Sequence, residues 1–158
     1  MIKGLNIVYK KLIVIAASIG LCVSGLTYAQ SNYELGTTLT PAQISALGPL
    51  KSFTVGTMTF RILPGGKGAS TYVLNDQGKI GLCNGEVLIS GVSTDQAKKA
   101  LSAYQSFIAS TTVYDSLKMV SAKFSSLQEA ANARNEIANT LVGATVTLPI
   151  TFNLPKVN

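Results

Sequence analysis

The stretch VYDSLKMVSAKFSSLQEAANARNEIANTL, residues 113–141, can be read in two ways, and the architecture depends on which is right. Val113, Leu117, Val120, Phe124, Leu127, Ala131, Ala138 and Leu141 recur at alternating steps of three and four, with Arg134 inside the seam, which suits one long helix. Against that, β-branched and aromatic residues concentrate before Phe124. Ser125 and Ser126 are then followed three places later by Gln128 and Glu129, two overlapping capping boxes of the kind that start a helix. A start signal has no use inside a helix, so a strand followed by a helix over 126–141 is the favoured reading.

Downstream, Gly143 closes that helix and Ala144 to Phe152 alternates cleanly. Val146, Leu148, Ile150 and Phe152 point one way, while Thr145, Thr147, Pro149 and Thr151 point the other. Pro149 has no donor for a ladder, which places this strand at a sheet edge or beside a bulge. Residues 153–158 read as an untethered tail.

Upstream, Ser93 with Gln96 makes another capping box, and Ala97, Ala100, Leu101, Tyr104, Phe107 and Ile108 follow one helical face, with Lys98, Lys99 and Gln105 on the other. Before it, strands Lys79 to Cys83 and Glu86 to Ser90 flank Asn84-Gly85, a strong hairpin signal that would pair Cys83 with Glu86 and Leu82 with Val87. Ile80, Leu82, Val87 and Ile89 would then share an apolar face covered by a helix. Thr71 to Asn75 turns through Asp76-Gln77-Gly78. Phe53 and Val55 have one parity and Met58, Phe60 and Ile62 the other, which reads as a bulge at Gly56 resetting the phase. Thr40, Pro41 and Gln43 start a short helix that Gly48-Pro49 ends, and residues 30–39 read as a loose lead-in. The expected fold is α+β: an antiparallel or mixed sheet of about five to six strands packed against two longer helices, with a short N-terminal helix.

Val92 to Ala97 and Phe124 to Ala130 each carry a strand end into a serine-capped, alanine-rich helix. Two such units resemble ferredoxin-like sheets and the SPOR peptidoglycan-binding repeat. The resemblance covers under half of the chain and rests on capping and alanine rather than on ligand-contacting residues, so it carries no function.

The first 29 residues have the layout of a secretory signal peptide. Lys3, Lys10 and Lys11 precede an apolar run from Leu12 to Leu26, and small residues at Thr27 and Ala29 suit cleavage after Ala29. The run is too short for a spanning helix and is interrupted by Ser18, Gly20, Ser24 and Gly25. Lipidation at Cys22 is disfavoured by Leu21, where that processing wants a small side chain. Residues 1–29 are thus expected to leave, and residues 30–158 to form a single α+β domain in the periplasm or outside the cell, with no membrane attachment.

Losing three lysines takes the formal charge from +6 to +3, with ten basic against seven acidic residues. The surviving cations are scattered, so no nucleic-acid partner is expected. Of two cysteines only Cys83 remains, a free thiol with no internal partner.

The chain has no histidine and no tryptophan. That removes the commonest general base and metal ligand and the ring most used as a sugar platform. Neither a cofactor nor a metal site is expected. A carboxylate opposite Cys83 would raise its pKa and disfavour a nucleophile. Gly65 to Gly68, with Lys67 and Ser70, lacks the spacing of a phosphate loop. Asp76 suits its turn, Asp95 its helix start, and Asp76, Glu86, Asp95 and Asp115 suggest no catalytic pair. The sequence therefore points to a small exported protein that binds a protein or cell-envelope partner without catalysis. It would be of inhibitor, immunity, secretion-accessory or secreted virulence-factor type. The strand carrying Val146, Leu148, Ile150 and Phe152 is the candidate binding edge. A small exported hydrolase using carboxylates or tyrosines and a structural surface or pilus component are the alternatives.

Overall fold

The structure, a computed structural model, describes residues 33–66 and 70–153. The leader with its Ala29 cleavage point, Lys67 to Ala69 of the glycine loop, and the tail from residue 154 lie outside the described residues. The architecture is α+β, as expected, but its strands divide between two antiparallel sheets, one of five strands and one of four.

Residues 113–141 hold strand before helix, as favoured, but a turn divides the strand region into two arms. Strands β6 (Ile108–Tyr114) and β7 (Met119–Phe124) form a hairpin, and helix α3 (Leu127–Thr140) follows. The heptad spacing fails because Val113 and Val120, seven residues apart, are cross-strand partners rather than helical neighbours. The hairpin turns through one 3₁₀ turn, Asp115–Leu117, and Lys118 at φ 46°. Of the two overlapping caps, Ser126 wins: its side chain accepts from the Glu129 N–H. Ser125 instead donates through Oγ to the Phe107 carbonyl, tying the helix start to the beginning of β6.

Strand β5 (Glu86–Ser90), helix α2 (Thr94–Leu101), β6, β7, α3 and strand β8 (Thr145–Thr147) complete a β-α-β-β-α-β unit with sheet order β6-β7-β5-β8. Both β6 and β5 run antiparallel to β7, so they are parallel to each other with β7 between them. This is the ferredoxin-like split β-α-β topology that the two serine-capped units resemble. Ser93 and Gln96 form the capping box read from the sequence. The helix stops earlier than its apolar face suggests. At Ser102 the chain tightens to a 3₁₀ helix through Phe107, which leaves Phe107 exposed and makes Ile108 the first residue of a strand. Tyr104 keeps its place, edge-on to Phe124 at 6.3 Å.

The second sheet holds β1 (Ser52–Val55), β2 (Met58–Ile62), β3 (Thr71–Leu74), β4 (Ile80–Cys83) and β9 (Ile150–Thr151), in that spatial order. Gly56 is not a bulge. Gly56-Thr57 is a two-residue turn pairing Val55 with Met58 and Phe53 with Phe60. An even-length turn places odd residues of one strand opposite even residues of the next, so a change of parity is what a tight hairpin requires.

Asn84-Gly85 is not a hairpin turn either. Gly85 takes the φ of +63° that such turns use, but β4 pairs with β3 and β9 while β5 pairs with β7 and β8. Cys83 therefore faces Thr71 and Ile150, not Glu86. The expected common face breaks up with it: Ile80 joins a small core with Leu63 and Leu74, whereas Val87 and Ile89 join the main one.

What spans the two sheets is a bent ribbon. Cys83 pairs with Ile150 in one sheet, and Leu88 pairs with Thr147 in the other. Between these pairs the first segment has four residues, Asn84 to Val87, against only Leu148 and Pro149 on the second. The two surplus residues bend the ladder from sheet to sheet, the usual device at a sheet corner.

Helix α3 is the beam of the main core, touching β1, β5, β7, β8 and α2. Its buried Leu127, Ala130, Ala131, Ala133 and Ile137 lie on one stripe. Helix α1 (Pro41–Ala46), with the expected Thr40–Gln43 capping box, covers the small core through Ile44. Residues 33–39 are not a loose lead-in. Gly36 and Thr37 hydrogen-bond to Ile80, Thr38 bridges to Lys79, and Leu35 and Leu39 pack on Leu63, Leu74 and Ile80. Leu35 and Leu39 are half-buried, and each contributes roughly 1 kcal/mol by that burial, which helps hold the segment against the sheet.

Candidate functional site

The C-terminal segment alternates as its sequence says, yet it serves two sheets. Val146 and Leu148 are buried, Ile150 and Phe152 half-buried, and the threonines and Pro149 between them exposed. Strand β8 ends the four-stranded sheet and β9 the five-stranded one, with Pro149 at the crossing. Leu148, Ile150 and Phe152 line a cavity of about 450 Å³, closed on the opposite side by Val55, Met58 and Phe60. The sheet must curl for its first hairpin and its last strand to share that space. Gly81 lets the curl close: a Cβ there would meet Ile150 Cγ2 and Phe152 Cε1 at 2.9 Å. Asn75 and Asp76 give the cavity a polar rim.

Of the ribbon's two ends, that of β8 is obstructed and that of β9 is only two residues long. Arg134 on α3 donates through Nε to the Val146 carbonyl at 3.1 Å, so a cation occupies a main-chain acceptor of β8. Residues 36–38 continue the row of β9 along the same side of β4, at Lys79 and Ile80. The edge of β1 is treated likewise: Asn135 donates to the Thr54 carbonyl at 2.7 Å and accepts from the Gly56 N–H at 3.0 Å. Short strands, prolines and charges are the usual means of blunting a sheet edge.

The fourth edge is β6, which the sequence reading did not single out. Strand β6 is seven residues long and, among the described residues, pairs only with β7. No charged residue occurs from Ser102 to Tyr114. Ala109 to Thr112 are exposed, and among the described residues no side chain hydrogen-bonds to its main chain. A bulge between Ile108 and Ser110 bends its beginning, leaving Ser110 to Tyr114 in regular register. Between this edge and the helix layer runs a cleft of about 560 Å³, walled by Lys98, Leu101 and Gln105 and by Ile108, Thr111 and Val113. The signal was present as an uncharged, proline-free, β-branched run. It was masked because Ile108 and Val113 fit helical spacings as well.

The other face of the four-stranded sheet, away from the helices, carries Glu86, Leu88 and Ser90 of β5 beside Met119, Ser121 and Lys123 of β7. Ser121 is buried and donates to Glu86, which holds the carboxylate within the sheet although Lys123 sits directly opposite.

Cys83 is a buried free thiol. Burial pushes its pKa up, against a smaller lowering by the hydrogen bond from Gly85. Glu86, expected opposite this thiol, instead pairs with Lys123 in the other sheet. The carboxylates likewise have local duties. Asp76 accepts from the Gln77 N–H, Asp95 sits in the first turn of α2 beside Lys98, and Glu136 accepts from the Tyr104 hydroxyl at 2.5 Å. Tyr104 is pushed up to about 12 by burial first and by its bond to Glu136 next. Among the described residues no group of three or more Cys, Asp or Glu side chains could hold a metal ion, and no helix is long and apolar enough to cross a membrane.

No family model, no curated protein and no solved structure matches this chain.

Proposed function

We propose that this protein works outside the cytoplasm, without catalysis, by binding a protein partner through the exposed edge of its four-stranded sheet. The observation that carries the reading is the contrast among edges: β1 and β8 are short and have a side chain on a main-chain carbonyl, β9 has only two residues, while β6 is long, uncharged and open beside a cleft. Natural folds protect such edges unless something pairs with them. The assignment of the carboxylates to turns, caps and hydrogen bonds supports a binding role over acid-base chemistry. Export rests on the leader's charge, apolar run and small residues at Thr27 and Ala29. An inhibitor, an immunity protein, a secretion accessory or a secreted virulence factor would each fit this reading.

Two measurements test it. Mass spectrometry of the chain recovered from culture fluid or periplasm is expected to show a new N-terminus at Gln30; retention of residues 1–29 in a cytoplasmic pool contradicts export. Affinity capture with chain purified as cells produce it is expected to retain a partner that a Thr112→Lys variant releases. Capture of nothing, together with turnover of a substrate by the purified chain, would sink the binding reading.

A further inference from the structure

We infer that the partner at β6 is a second copy of this chain, paired antiparallel about a two-fold axis at Thr112, so that the two four-stranded sheets run on into one; this rests on the binding reading above. Over Ser110 to Tyr114 the ladder with β7 is regular. A bulge ends it on one side and the turn at Asp115–Leu117 on the other, so the straight part of the edge is centred on Thr112. A two-fold contact uses the same patch on both copies. Centred there, it sets Thr111 against Val113 of the second copy, Ser110 against its Tyr114, and Thr112 against itself. Directly opposed residues share a face, so both helix layers fall on one side of the joined sheet and both uncovered faces on the other.

What the edge carries suits its own image. A residue on the axis meets itself, and like charges directly opposite are destabilising. Thr112 is exposed and uncharged, and no charged residue occurs from Ile108 to Tyr114. Thr111 against Val113 is a β-branched pair, made twice, of the kind that stabilises neighbouring strands. Of the five large apolar side chains exposed among the described residues, Phe107, Tyr114 and Leu117 gather about this one edge. Phe107 precedes the strand and Leu117 follows it, so antiparallel pairing brings each to the end where the other emerges from the second copy. Tyr114 comes to lie beside Ser110 on the uncovered face. On the helix face the cleft of about 560 Å³ between α2 and β6 meets its counterpart across the axis, with Thr111 and Val113 in both walls. Stable interfaces bury about 1,200 Å² or more in total. A strand pair alone falls short of that, and the apolar ends and the two clefts are what extend it.

Sedimentation of the chain purified as cells produce it is expected to show a reversible monomer-dimer equilibrium. Thr112→Lys and Thr112→Glu should each weaken association about tenfold or more while leaving thermal unfolding unchanged, because the site is exposed. Mixing the two variants should restore the dimer as a heterodimer, since only a residue on the axis meets its own counterpart. Mild oxidation of Thr112→Cys should give a covalent dimer, because directly opposed Cα atoms about 4.5–5.5 Å apart suit a disulfide. Cys83 is buried and does not compete. Ser110→Cys should give none, being set against Tyr114. A dimer that survives both charge variants, or one that links at Ser110→Cys and not at Thr112→Cys, overturns the inference. So does a monomer at every concentration. If affinity capture then still retains a different protein that Thr112→Lys releases, the binding reading stands and only the second copy is removed; failure of capture as well removes the binding reading.

Discussion

The C-terminal segment and β6 both run along sheet edges, and the fold finishes them differently. Val146 to Phe152 spends its apolar side chains on the core and the cavity, has its Val146 carbonyl occupied by Arg134, and is split at Pro149 into strands of three and two residues. Strand β6 keeps seven residues, no charge and no obstruction on its free side among the described residues. Alternation and a proline mark an edge from sequence, but they do not tell whether that edge is available. Availability depends on what the neighbouring helix does with its side chains.

The largest effect should come from closing the space that lets β9 lie against β4. Gly81→Val forces Ile150 and Phe152 away from contacts at 2.9 Å and should cost about 3 kcal/mol, lowering Tm by roughly 10 °C in thermal unfolding. An unchanged Tm would mean the cavity side of β9 is not packed as described.

Arg134→Met comes next and makes the two edges more alike. It strips the donor from the Val146 carbonyl, at about 1–2 kcal/mol, and leaves β8 open. Sedimentation should then show more association than wild type; equal behaviour would show that the guanidinium does not guard the edge.

Tyr104 leads into β6 and ties that region to α3 through Glu136. Because its pKa is raised to about 12 in the folded state, its contribution is fully present below the unfolded value near 10 and is lost as pH rises through 12. Denaturant titrations between those pH values should show stability falling in wild type and falling less steeply in Tyr104→Phe. Identical slopes would remove the hydroxyl from the account.

The smallest thermodynamic effect belongs to Thr112→Lys, on the exposed edge itself. Stability should change by no more than about 0.5 kcal/mol, while aggregation on prolonged concentration decreases. Increased aggregation would mean β6 is not the vulnerable edge.

Much of the local structure was legible in residues 40–43, 93–96 and 126–129, because a cap is a short-range hydrogen bond between a serine or threonine and an amide three places on. The alternation of Val146 to Phe152 was legible for the same reason: the period of two belongs to any strand. Asn84-Gly85 misled because its preference is for a backbone shape, and that shape serves a bend between sheets as well as a hairpin. Gly56 misled through parity, which a bulge and a two-residue turn alter alike. The candidate site was half legible. Leu148, Ile150 and Phe152 do line a cavity, but the free edge lies at β6, where helical and strand spacings coincide.

By itself the sequence determined where elements begin, the α+β class and the two strand-to-helix units, since those depend on contacts within about four residues. It also set the charge pattern and the absence of histidine and tryptophan. Only the tertiary structure decided how strands are shared between two sheets, which partner Cys83 faces, and which edge stays open. Those outcomes rest on residues far apart in the chain, such as Asn135 with Thr54, Arg134 with Val146 and Cys83 with Ile150, and no local pattern encodes a contact between them.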